Sequence, residues 1–117
     1  MNEISFTAAA NLTANPELRY TSSGRPVTNL RLAVNSRRRP AEGTWIDVPT
    51  TYLDGTVWSE QAERAAAQLH KGDRIVVTGT LVTRTWTAGD GTERRKLEVA
   101  IDELGASLLF CDVTINR

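Results

Sequence analysis

The run R-I-V-V-T-G-T-L-V-T-R-T-W (74–86) alternates in character along its length. Side chains that alternate with period two fall on opposite faces of an extended strand, so a run this long commits the chain to β structure with two distinct faces. Ile75, Val77 and Leu81 form one face, and Arg74, Val76, Thr78, Thr80, Val82, Arg84 and Trp86 the other. The pattern recurs. In P-V-T-N-L-R-L-A-V (26–34), Leu30, Leu32 and Val34 oppose Asn29, Arg31 and Ala33. In K-L-E-V-A-I-D (96–102), Leu97, Val99 and Ile101 point inward. I-S-F-T-A (4–8), W-I-D-V-P-T-T-Y-L (45–53) and L-L-F-C-D-V-T-I (108–115) read as further strands. Pro49 requires an edge or a bulge in its strand, because it has no N–H to give the ladder.

The punctuation between strands is clear. T-S-S-G (21–24) is a loop ending in glycine, and Ala88-Gly89-Asp90-Gly91 carries the Asp-Gly signature of a hairpin. That hairpin joins two cationic arms. One helix is expected over S-E-Q-A-E-R-A-A-A-Q-L-H-K-G (59–72), with Ser59 as N-cap and Glu60 at the positive end of the dipole. Lys71 and Gly72 stop it. Its apolar stripe of Ala62, Ala65, Ala66 and Leu69 is narrow, so the helix plugs a core built by strands. The order is three strands, a helix, two strands joined by a long hairpin, and an extra C-terminal strand. This predicts an all-β fold: a five-stranded OB-fold Greek-key barrel with its helix between strands three and four. A chain of 117 residues suffices for one such domain, over 1–117.

Several chemistries have no support. Cys111 is the one cysteine, which excludes an intrachain disulfide and a cysteine-cluster metal site; it reads as a small buried strand residue. The single histidine, His70, falls at the helix end and has no marked nucleophile or orienting carboxylate. There is no phosphate-binding glycine loop and no H-E-x-x-H. Asp102 and Glu103 are neighbours on a strand and so point to opposite faces. No catalytic set, cofactor or metal is expected. No apolar run approaches the roughly 20 residues of a membrane span. The opening M-N-E-I-S-F-T lacks the form of a secretory signal, so a cytoplasmic protein is expected and the N-L-T sequon at 11–13 carries no meaning.

Lys plus Arg and Asp plus Glu balance at 14 each, so only the distribution of charge can indicate a partner. Cations cluster at Arg37, Arg38 and Arg39 and at Arg94, Arg95 and Lys96, while acids gather at Glu60, Glu63, Asp102 and Glu103. Phe6 and Phe110 lie in apolar strands and read as core. Trp45, Tyr52, Trp58 and Trp86 instead stand among Thr, Asp, Glu and Arg. One tryptophan in polar surroundings is ordinarily a half-buried lid. Three with a tyrosine, interleaved with arginines on strands, suit the stacking of nucleobases, which is worth about 1–3 kcal/mol per base. Single strands fit better than duplex, whose base faces are hidden. The one helix is acidic at its start and rich in alanine, unlike a groove-reading helix.

These residues resemble bacterial-type single-stranded DNA-binding proteins. The matching stretches are N-L-T-A-N-P-E-L-R-Y-T-S-S-G (11–24), L-R-L-A-V-N-S-R-R (30–38), V-W-S-E-Q-A-E (57–63), L-H-K-G-D-R-I-V-V-T-G-T-L (69–81), R-T-W-T-A-G-D-G (84–91) and L-E-V (97–99). The resemblance implies an OB-fold, a homotetramer, and sequence-tolerant binding of single-stranded DNA in replication, recombination and repair, in the cytoplasm at the nucleoid. It implies stacking on Tyr52, Trp58 and Trp86, and on Trp45, which precedes strand three at a commonly aromatic position. It implies phosphate contacts from Arg31, Arg37, Arg84 and Lys71. Arg38 extends the first basic cluster, and Arg94, Arg95 and Lys96 are assigned by charge and hairpin geometry. The sequence departs from the family at Ala10, Ser59 and Thr80, where glycine, glycine and arginine are usual. Its last residues are T-I-N-R (114–117), without the acidic-tipped tail that recruits protein partners, so tail-mediated partners are not expected of these residues. The apolar 108–115 strand is expected to pair across subunits and clamp the oligomer. The alternative is an OB-fold interaction or structural subunit that pairs with a paralogue and binds DNA weakly. A nuclease-like enzyme would need a carboxylate cluster and a divalent metal, which the sequence does not offer.

Overall fold

A computed structural model describes residues 2–38 and 46–117, the side chains of 36–38 and 46–48 excepted. The elements are β1 (Ile4–Leu12), β2 (Glu17–Tyr20), β3 (Pro26–Arg38), β4 (Ile46–Trp58), α1 (Ser59–Gln68), β5 (Arg74–Thr87) and β6 (Glu93–Ala106). They form one sheet in the order β1-β5-β6-β4-β3-β2. β1 also pairs with β3, at Asn11↔Ala33 and Leu12↔Leu32, and this closes the sheet into a barrel. The β4–β6 pairing is parallel, from Asp54↔Glu98 to Thr56↔Ala100; the other pairings are antiparallel. With β2 set aside as an edge strand, the circuit β1-β3-β4-β6-β5-β1 is the expected OB-fold barrel. The helix lies between its third and fourth strands.

The inward faces are those the alternation marks. Leu30 and Leu32 are 1% exposed, and Ile75, Val77 and Val99 are fully buried. The helix lays Ala62 and Ala65 against this core, and the buried Thr28 hydroxyl donates to the Ala62 carbonyl at 2.8 Å. Barrel closure also brings backbones together. A Cβ on Gly79 would stand 2.2 Å from the Ala100 carbonyl oxygen, which only a glycine avoids.

Two bulges bend the strands. Between Val34↔Thr51 and Ser36↔Val48, Pro49 and Thr50 face the single residue Asn35, so Pro49 stands at a bulge as its missing N–H requires. Between Thr78↔Glu103 and Gly79↔Ile101, Asp102 is the extra residue. Gln61 of α1 clasps that second bulge. Its amide nitrogen donates to the Asp102 carbonyl at 3.1 Å, and its oxygen accepts the Leu104 N–H at 2.9 Å.

The structure corrects five expectations. The helix ends at Gln68, short of residue 72, and its N-cap is Trp58, with no side-chain cap bond. Ser59 instead holds a positive φ of 63°, because β4 runs into α1 without a loop and one residue takes the whole reversal. Leu97 is 48% exposed, because its pairing with Thr83 lies on the hairpin beyond the β4–β6 contact. Residues 108–115 form no strand within the chain. Past β6 the chain makes one backbone bond to β5, from the Ser107 N–H to the Arg74 carbonyl at 3.0 Å, and then leaves the sheet. Phe110, at 77% exposed, and the exposed Cys111 are therefore outside the core. The sixth strand is instead the short β2, whose four residues E-L-R-Y are all exposed and too few for their alternation to mark a strand.

Candidate functional site

The outer face of the barrel follows from register. Tyr52, Asp54, Thr56 and Trp58 alternate on β4 and share one face. Opposite them on β3 stand Ala33, Arg31, Asn29 and Val27. On β6, Glu98 and Ala100 lie beside Asp54 and Thr56, and Lys96 continues the same face. On β5, Thr80, Val82, Arg84 and Trp86 pair with Ala100, Glu98, Lys96 and Arg94. Four strands thus present Tyr52, Trp58 and Trp86 on one surface, 70%, 37% and 41% exposed. At about 3.3 Å per residue, Tyr52 and Trp58 stand roughly 20 Å apart along β4.

Three clefts join across this face. The central one, about 420 Å³, is lined by Thr13, Asn15, Asn29, Arg31, Asp54, Thr56, Arg84 and Glu98 among others. A second, about 530 Å³, shares Asn29, Thr56, Arg84 and Glu98 with it and extends to Arg19, Tyr20, Val82 and Trp58. A third, about 310 Å³, shares Thr13, Arg31 and Asp54 and extends to Tyr52 and Lys96. The result is a continuous track from Tyr52 to Trp58 that passes between Arg31 and Arg84.

Cations border the rings. The Arg25 guanidinium carbon lies 4.2 Å from the Trp58 ring centroid, and that of Arg84 lies 5.2 Å from the Trp86 ring. Carboxylates hold four of the cations. Arg84 meets Glu98 at 3.3 Å, Arg94 meets Asp90 at 3.6 Å, Arg95 meets Glu93 at 3.9 Å, and Lys96 bonds Asp54. The Arg94–Asp90 and Arg95–Glu93 pairs are exposed on both sides and add little to stability, so a phosphate can exchange into them at small cost. At the hairpin tip, the Thr92 hydroxyl and N–H both donate to Asp90 and hold its carboxyl below the ordinary value of 3.8.

The fold gathers Tyr52, Trp58, Trp86, Arg31, Arg84, Arg94 and Lys96 on this face. Arg95 is out of phase with Arg94 and Lys96 and faces the other side of the hairpin. Lys71 is exposed in the loop after α1; its backbone N–H donates to Asn15 Oδ1 at 2.8 Å, which puts it at the rim of the central cleft. Trp45 lies outside the described residues. Arg37 and Arg38 pair through their backbones with Asp47 and Ile46 on β4, and their side chains lie outside the description. Arg19, Tyr20 and Arg25 join the site without a sequence expectation. The signal for them was position: Tyr20 and Arg25 flank the T-S-S-G turn. That turn is closed by the Thr21 N–H to the Arg25 carbonyl, at 3.0 Å, and returns Arg25 towards Trp58.

Comparison with known proteins identifies the family and the fold. Residues 1–107 match the model of the single-strand binding protein family. The chain is 38% identical over 116 residues to a single-stranded DNA-binding protein of Paenarthrobacter aurescens, covering 98% of this chain and 68% of that protein. It is also 38% identical over 116 residues to the one of Mycobacterium leprae (strain TN), covering 69% of it. Among solved structures, the small single-stranded DNA-binding protein of Streptomyces coelicolor superposes with a TM-score of 0.76 at 31% identity, over 92% of this chain and 97% of that one.

Proposed function

This chain belongs to the single-strand binding protein family, and from that premise we propose that it binds single-stranded DNA without sequence preference. The observation that carries the reading is the continuous track. Three joined clefts run from Tyr52 to Trp58, bordered by Arg31, Arg84 and Lys96, with Trp86 on the same face. Bases stack on the rings while the cations take the phosphates. Trp45, Arg37, Arg38, Arg94, Arg95 and Lys71 are proposed as further contacts where the strand leaves the central track. The whole chain serves as one binding domain.

The proposed setting is a homotetramer that wraps and protects single strands during replication, recombination and repair, in the cytoplasm at the nucleoid. What supports an assembly is the apolar surface at the end of the chain, where Leu108, Leu109, Phe110 and Ile115 are 66–77% exposed. No helix among the described residues is long and apolar enough to cross a membrane.

Tryptophan fluorescence during titration with oligo(dT), at two salt concentrations, tests the reading. Strong quenching is expected, with a log–log salt slope of about 0.7 per phosphate engaged. Absence of both quenching and binding at low salt would overturn it and leave a subunit used for pairing.

A further inference from the structure

Asp54 stands where a polyanion would be expected to meet cations alone. It lies at the middle of the outer face, in register with Arg31 on β3 and Glu98 on β6. It lines both the central cleft and the cleft that leads to Tyr52, so a strand crossing from one to the other passes over it. Its carboxylate holds the Lys96 ammonium. Glu98 holds Arg84 in the same way, but the two acids differ in depth. The Glu98 side chain is 12% exposed and forms the floor beneath an Arg84 that is 61% exposed. Asp54 is 28% exposed and its partner Lys96 43%, so the acid shares the surface with its cation. A phosphate that reaches Lys96 reaches Asp54 as well, and the two anions repel at that range.

We infer that Asp54 is an internal competitor for the phosphate at Lys96, and that it sets the affinity and salt dependence of the track. This rests on the reading of the face as a single-strand path. A phosphate arriving there exchanges the Lys96–Asp54 pair for a Lys96–phosphate pair and leaves Asp54 beside the new anion. The net gain at that step is small, and the strand is released readily there. Asp54 thus separates two tasks that share one surface: the rings of Tyr52 and Trp58 hold bases, while the phosphate between them stays exchangeable.

The test is Asp54→Asn, which keeps the shape and removes the charge. Wild type and variant are titrated with oligo(dT) across a salt series, with tryptophan quenching as the readout. The variant is expected to bind about fivefold tighter, the order of one partly exposed charge pair. Its log–log slope steepens by up to about 0.7, because the charge of Lys96 is no longer cancelled by Asp54 and neutralises a full phosphate of the single strand. Adding Lys96→Gln to that variant removes both gains. Binding by the folded variant that is unchanged or weaker overturns the inference and makes Asp54 a positioning group for Lys96. Asp54→Ser supplies the same readout should the Asn variant fail to fold. If wild type itself neither binds nor quenches at low salt, the reading of the face falls together with the inference. A failure of Asp54 alone leaves wild-type binding intact, which distinguishes the two.

Discussion

Ser59 holds a left-handed backbone, φ 63°, at the junction of β4 and α1. An L-residue with a Cβ resists that conformation by about 1–2 kcal/mol, and glycine does not. The helix gains no side-chain cap from it in return. Ser59→Gly is therefore expected to stabilise the protein by about 1 kcal/mol, read as a rise of ~4 °C in thermal midpoint by calorimetry. The rings call for a different measurement. Trp58→Ala and Trp86→Ala are each expected to weaken oligo(dT) binding by about 1–3 kcal/mol in isothermal titration, with little loss of fold because both rings are partly exposed. At this scale the sequence was informative about Tyr52, Trp58 and Trp86. Large rings off the apolar alternation have to lie outside the core, and the fold puts them there. Arg25 was not legible, because its place over Trp58 depends on the β3–β4 register, which sets Val27 opposite Trp58. Arg95 shows the converse. Its charge was plain, but strand phase turns it away from its neighbours.

The β5–β6 hairpin is held at its tip by Asp90, which accepts from the Thr92 N–H at 3.0 Å and the Thr92 hydroxyl at 2.6 Å. These bonds lower its folded pKa below 3.8. The stabilisation is therefore present above that value and is lost as pH falls through the lower folded one. Amide exchange at Thr92 is expected to quicken, relative to the barrel strands, on acidification through that window, and Asp90→Asn should remove the pH dependence. At the other bulge, Gln61→Ala leaves the Asp102 carbonyl and the Leu104 N–H without their clasp. A loss of about 1 kcal/mol is expected, measured as a lower midpoint in urea at unchanged slope. Element by element, the long alternating strands and the Asp-Gly turn were readable because period and turn chemistry are local. The Pro49 bulge was readable because proline lacks a donor. The short β2 was not: one polar–apolar alternation over four exposed residues is too short to mark a strand, and pairing with β3 makes them one.

At the scale of the molecule, 107–117 forms no strand within the chain, yet carries several exposed apolar side chains. Val113, Thr114 and Ile115 line a groove with Gln61 and Ala65 of α1 and Leu69 just beyond it, while Leu108 and Phe110 remain 71% and 77% exposed. Deleting 107–117 is expected to lower the oligomeric state in light scattering while the barrel's circular dichroism persists; an unchanged oligomer rejects a clamping role. The sequence by itself determined the β class, the one helix with its alanine stripe, the barrel order that those elements suit, and the rings and cations excluded from the core. Those properties follow from period, turn residues and side-chain size, which act over a few residues. The tertiary structure alone decided which cations share a face with the rings and that Tyr20 and Arg25 join them. It also decided that Asp54 stands among those cations and that the last apolar segment forms no strand within the chain. Each of these depends on register between strands far apart in sequence, and a slip of one residue would turn every side chain to the opposite face.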